Sequence, residues 1–272
     1  MESQLKGEPL ATTAHTFVSQ LKSVRFNLDD APGIDILLQS LPHIRLRSGY
    51  SLGWYREGDF WGKHVHLYPF RTGSTDEYDP GIHNRDIEQK MYLDIMHTFE
   101  EAKKGDAEAA EVLEQRLNPT PFCDGQVIRC SIMLGADDSV PKLQDYLDID
   151  FTMESVWESL LLLNLSVNYL PHSWHGMYAN GELVLTPGDL KKVFRGYKEV
   201  DSTVWKPFLT DDRLLPSVTL HNELQATVNV CRWNNWRGLD RLTYHAFRGG
   251  RTISFEREDP VNLIEYNCGI HF

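Results

Sequence analysis

Two pairs of histidines and two clusters of aromatic rings are the residues of this chain whose types and spacing could do chemistry. His64 and His66 stand two apart in a β-prone run. In a strand, positions i and i+2 point to one face, so the two imidazoles could converge on a metal ion. A two-histidine, one-carboxylate centre would take its third ligand from Asp76 or Glu77, or a distant His221 or His245 would complete the shell. The structural alternative is two histidines on a half-exposed β face. His172 and His175 form the second pair, in the run PHSWHG, with Trp174 between them and Tyr169 just before. A helix end opening into such a turn could line a small-molecule pocket. Simple capping, with a histidine at the negative end of a helix dipole, explains the same residues.

The aromatic clusters offer recognition more than catalysis. Trp54, Tyr55, Phe60 and Trp61, with Arg56 and Lys63, could stack on a planar or sugar ligand or face a partner protein. Trp233, Trp236 and Arg237 in CRWNNWRG offer the same choice. Such rings more often pack against a neighbouring helix.

The spacing Gly58-x5-His64-Val65-His66 loosely resembles the first metal motif of the cupin family, which implies a bound divalent transition metal. That motif wants a Glu four or five residues beyond the second histidine, where this chain has Phe70 and Arg71. The family's second motif has no counterpart. P-loop, dinucleotide-binding, nucleophile-elbow and H-E-x-x-H signatures are absent from the sequence, which argues against nucleotide-dependent, α/β-hydrolase and zincin chemistry. Cys123, Cys130, Cys231 and Cys268 form neither a C-x-x-C pair nor a zinc spacing, and read as reduced core thiols. The acidic runs around Asp137, Asp145, Asp150 and Asp211 lack the alternation of a calcium loop.

Whatever chemistry exists is positioned around Phe151–Gly176, the most apolar stretch. Thr152 is placed to cap a helix, Glu154 lies in its first turn, and Val156, Trp157, Leu160, Leu161 and Leu163 recur at helical spacing. Glu158 and Ser159 belong to its polar side. Pro171 ends it. Before this spine the pattern predicts a helix over 8–24, an ambiguous element over 34–41, and a hairpin over 50–70 turning at Glu57-Gly58-Asp59. A loop follows over 71–85, then a helix pair over 86–116 with Gly105 between, and a strand over 126–134. Residues 135–150 read as an acidic loop or short helix. After the spine come a strand pair about Asn180-Gly181, a brief helix from Pro187, an irregular stretch to 216, and a β meander over 217–272 with its clearest turn at Gly249-Gly250.

Helices and strands partly segregated along the chain predict an α+β fold: helices packed on antiparallel sheet, ending in an antiparallel meander. The 272 residues read as one globular unit, or as two closely packed lobes at about 1–148 and 149–272. The net charge of −12 disfavours nucleic acid and anionic membrane as main partners. It suits a soluble protein that binds another, basic, protein. The longest apolar run is far short of a membrane span, and the first residues hold no signal-like segment, so a cytoplasmic location is expected. Three functions follow from these residues: a binding protein without catalysis and without a cofactor, a metal-dependent enzyme at His64 and His66, and a small-molecule binder near His172, Trp174 and His175.

Overall fold

The computed structural model describes residues 3–24, 34–59, 62–72, 97–98, 100–109, 111, 142–166, 169–170, 181–197 and 200–266. The architecture is α+β, with helices against a seven-stranded antiparallel sheet and a C-terminal meander. Strand β1 (Ser3–Lys6) leads into helix α1 (Glu8–Ser23), whose buried side is Leu10, Ala11, Ala14, Phe17 and Leu21. A short 3-10 helix, Asp35–Ser40, resolves the ambiguous stretch. Strands β2 (Ile44–Leu46), β3 (Tyr50–Asp59) and β4 (Gly62–Arg71) follow. The β3–β4 pairing runs out to Asp59 opposite Gly62, so Glu57-Gly58-Asp59 is strand and not the expected turn. Continued cross-strand pairing overrides the turn tendency of that tripeptide.

Among the described residues, helical positions at 100–103 and 107–109 flank Gly105, which closes the turn with a φ of 93°. Asp106 starts the second stretch by accepting from the N–H groups of Glu108 and Ala109. The expected loop over 73–85 and strand over 126–134 lie outside the described residues. The acidic stretch before the spine carries an element the sequence reading lacks: β5 (Leu147–Ile149), paired antiparallel with β2.

The spine is α2 (Met153–Leu160), continued as a π turn over Leu161–Leu165. Thr152 caps it as its position predicts, accepting from Ser155 N–H at 3.2 Å. Its polar side is not a solvent face: Ser155, Glu158, Ser159 and Ser166 are buried along with the leucines. Trp157 Nε1 donates to the Leu10 carbonyl at 2.9 Å and ties α1 to the spine.

The first arm of the strand pair expected about Asn180-Gly181 lies outside the described residues, while strand β6 (Glu182–Val184) pairs antiparallel with the later strand Gln225–Asn234. Gly181 lies so close to that strand that a Cβ there would fall 1.4 Å from the Trp233 carbonyl oxygen. Helix α3 (Pro187–Gly196) opens with a reciprocal Thr186–Asp189 capping box, and the stretch expected to be irregular holds α4 (Ser202–Trp205) and two 3-10 turns.

The meander comprises β7 (Ser217–Asn222), β8 (Gln225–Asn234), β9 (Gly238–Gly249), β10 (Thr252–Arg257) and β11 (Val261–Glu265). The run 218–233 is therefore two strands with a turn at Glu223-Leu224. The long β8–β9 hairpin is the axis of the sheet. On one flank β7 and β6 share β8; on the other β10 and β11 share β9. Alternation assigns the faces. Ala226, Val228, Val230, Leu242, Tyr244 and Ala246 face α1 and α2 in the principal core, which draws on residues from 10 to 253. The opposite face is covered at one end by a second core of Val184, Leu190, Phe194, Cys231, Trp233, Leu239 and Ile264.

Candidate functional site

At the end of the inner face the apolar alternation breaks. Continuing from Val228 and Val230, the next inward position of β8 is Arg232; continuing from Tyr244 and Leu242, that of β9 is Asp240. The two are direct cross-strand partners, flanked by Leu183 of β6 and Asn262 of β11, so one row of the sheet reads Leu183, Arg232, Asp240, Asn262. Arg232 is 6% exposed and Asp240 0%. Asn262 Nδ2 donates to Asp240 Oδ1 at 3.1 Å and to the Arg237 carbonyl at 2.8 Å. Among the described residues, Arg232 Nε and Asp240 Oδ2 have no hydrogen-bond partner. Buried polar atoms are almost always paired, and an unpaired buried charge is costly.

Charges of both signs surround Arg232. Burial is the largest influence and lowers its pKa; Tyr244 and Asp240 oppose this, while Arg257 and Arg237 push the same way as burial. Burial raises the pKa of Tyr244, and the charges of Arg257 and Arg232 oppose that rise. In a chain of net charge −12, Arg257, paired with Tyr244, and Arg237, in the β8–β9 turn, lie near enough to Arg232 to act on it. The site also adjoins the end of the spine. Leu183, next to Arg232 across the ladder, donates its N–H to the Tyr169 hydroxyl at 2.8 Å. A guanidinium with free donor capacity reads carboxylate or phosphate.

No known family, curated protein or solved structure matches this chain.

His172, Trp174 and His175 lie outside the described residues, as does Trp61. The segment 171–180 that carries the first three runs in sequence from Leu170 to Gly181, just before β6. Trp54 is 3% exposed, inside the principal core. The backbone puts Tyr55 opposite His66 and Glu57 opposite His64 on the β3–β4 hairpin; the side chains of Tyr55, His64 and His66 are outside the described residues. Among the described residues no group of three or more His, Cys, Asp or Glu is arranged to hold a metal ion. Trp233 is core, edge-on to Phe194 and tilted against Tyr197 and Tyr266, while Trp236 and Arg237 are half-buried in the β8–β9 turn. Cys231 is a free, buried thiol whose pKa burial pushes up to about 12, so it is no nucleophile.

Three further histidine–carboxylate constellations appear among the described residues, one of them His15 Nε2 on the capping Asp189 at 3.0 Å. His221 Nε2 meets the Thr227 hydroxyl at 2.7 Å, Thr227 lies 3.4 Å from His245 Nδ1, and His245 Nε2 meets Glu258 at 2.6 Å. This relay brings His221 and His245 to a shared hydroxyl on the solvent-facing side of the large sheet. It resembles a hydroxyl–imidazole–carboxylate triad in order, but the neighbouring backbone N–H groups are committed to the ladder and offer no oxyanion site. The third joins a buried carboxylate to an exposed histidine. Glu158 of the spine accepts from the His43 backbone N–H at 2.7 Å and holds His43 Nδ1 at 2.6 Å. It clamps the loop before β2 onto α2.

Sequence spacing alone does not pair Arg232 with Asp240, because they sit in separate strands with no motif between them. A signal does exist: in QATVNVCRW and LDRLTYHAF, a charge occupies the parity otherwise filled by Ala, Val, Leu and Tyr.

Proposed function

We propose that this chain is a small-molecule binding protein that takes an anionic ligand, a carboxylate or a phosphate, onto the inner face of its sheet at Arg232. The single observation that carries this reading is the buried guanidinium with an unpartnered Nε among the described residues. Arginine stays charged inside a protein, and a buried charge lacking its partner costs several kcal/mol. A bound anion supplies that partner. The neighbouring Arg257 and Arg237 add attraction, and Tyr169 and Leu183 connect the row to the end of the spine. His172, Trp174 and His175 belong to this reading as the segment adjoining the site in sequence. The test is mass spectrometry of small molecules released on denaturing the purified full chain. Wild-type protein releases an anionic compound in near-stoichiometric amount, and Arg232→Met, folded by circular dichroism, releases none. Equal recovery from both would overturn the assignment.

A second reading, recognition of another protein, has one observation in its favour. Val204 is 46% exposed beside the half-buried Trp205, Phe208 and Leu209, where α4 and the following turn cover the second core. An apolar residue at such a surface, in an acidic chain, suits a partner with an apolar and basic face. Loss of complex on Val204→Asp, with unchanged melting temperature, is its test once a partner is in hand.

A further inference from the structure

The Arg232 row holds two unpartnered buried atoms, and they differ in sign. Asp240 lies directly across the ladder from Arg232, where opposed side chains start roughly 5 Å apart, yet Asp240 Oδ2 and Arg232 Nε both lack a hydrogen-bond partner among the described residues. Asp240 is held in place: Asn262 occupies its Oδ1, and the same amide is anchored on the Arg237 carbonyl. A plain anion on Arg232 would gain the guanidinium and meet a fully buried carboxylate alongside. A plain cation on Asp240 would meet the guanidinium. A molecule carrying both charges a few bonds apart answers both atoms at once.

We propose that the ligand is a zwitterion of the α-amino acid class, its carboxylate on Arg232 and its ammonium group on Asp240, a deepening that rests on the anion-binding reading above. The formal charges of the two side chains cancel, as do those of the ligand, so the loaded site is neutral within an apolar face of Val230, Leu242 and Leu183. The unpartnered Nε of the buried Arg232, directly across the ladder from Asp240, makes Arg232 the carboxylate reader. Asn262 is a positioning residue, since it aims Asp240 through the oxygen it occupies.

The test is a thermal-shift and calorimetric screen of the full chain with the standard L-amino acids one at a time. Acetate and inorganic phosphate serve as plain anions and ethylamine as a plain cation. For an amino acid that binds, the acid of the same skeleton lacking the ammonium group is measured alongside. The expected result is that the amino acid binds roughly 10- to 100-fold more tightly than its deaminated counterpart, the weight of one charge-assisted hydrogen bond. Asp240→Asn abolishes that preference while keeping affinity for the deaminated acid, and this retained affinity reports that the variant is folded. If plain acids bind as tightly as amino acids, the zwitterion is overturned and the anion reading survives. If no carboxylate or phosphate binds, both fall, and ordered water alone pairs Arg232 and Asp240.

Discussion

Removing the charge of Glu158 should loosen the molecule in a pH-dependent way. Glu158 is 1% exposed on the spine, and each of its oxygens meets His43, one the backbone N–H and one the ring. Burial, the largest influence, raises the Glu158 pKa, against the lowering effect of the His43 bonds. The hydrogen bond to Glu158 raises the His43 pKa, burial opposes it, and Glu154 and Asp150 add to the rise. The signs agree. In the folded state both groups hold protons more firmly than in the unfolded chain. The stabilisation from His43 is complete below its ordinary value near 6.5 and is lost as pH rises through its raised folded value. Glu158 pushes the same way from its ordinary 4.5 upward. Stability should therefore fall from mildly acidic to alkaline pH. In Glu158→Gln the amide oxygen can still accept from the backbone N–H, but the charge-assisted bond to the ring is gone. That bond is worth about 1.5–3 kcal/mol. For a chain of this size the loss corresponds to roughly 3–10 °C in melting temperature. Melting curves from acid to alkaline pH should show the largest deficit near pH 6 and a flatter profile in the variant. A variant that melts with the wild type throughout, or whose deficit grows in alkali, would refute the reasoning.

Two other outcomes follow from local geometry. Gly238→Ala should disrupt the β8–β9 hairpin, because the residue holds a φ of 100° and the new Cβ would fall 1.9 Å from the Ile264 carbonyl oxygen. A loss of roughly 3 kcal/mol or more is expected in denaturant unfolding, and near-wild-type stability would contradict the close approach. Cys231 should resist iodoacetamide at neutral pH until the chain is unfolded, since burial holds its thiol pKa at about 12. Peptide-mapped alkylation of the native protein at that position would show an accessible thiolate instead.

Much of the local structure was legible in the residues. Thr152 announces its helix because a hydroxyl before an apolar period satisfies a free N–H. Gly249-Gly250 announces its turn because Gly250 takes a φ of 67°. The α+β class follows from where helical and alternating runs fall. Long-range pairing was not legible. Nothing near Glu182 says that β6 will join β8, and nothing near Leu147 says that β5 will find β2 about a hundred residues earlier. The same limit hid the buried polar groups. Glu158 reads as an outer-face residue until His43, 115 positions away, covers it. Arg232 and Asp240 gain meaning only when the hairpin register sets them side by side. The described molecule contains no helix long and apolar enough to cross a membrane, in keeping with the short apolar runs of the sequence.

The central claim is that Arg232 is a ligand-reading cation and not a structural one, and thermal melting of wild type and Arg232→Met against small carboxylates and phosphates tests it most directly. At about a hundredfold excess over Kd, a bound anion stabilises the wild type by about 2.7 kcal/mol. The account predicts a saturable rise of that order in the wild type and none in Arg232→Met, with the ligand-free variant no less stable than the wild type once Asp240→Asn is added to it. Equal shifts in both proteins, or a ligand-free double variant that is markedly destabilised, would contradict it.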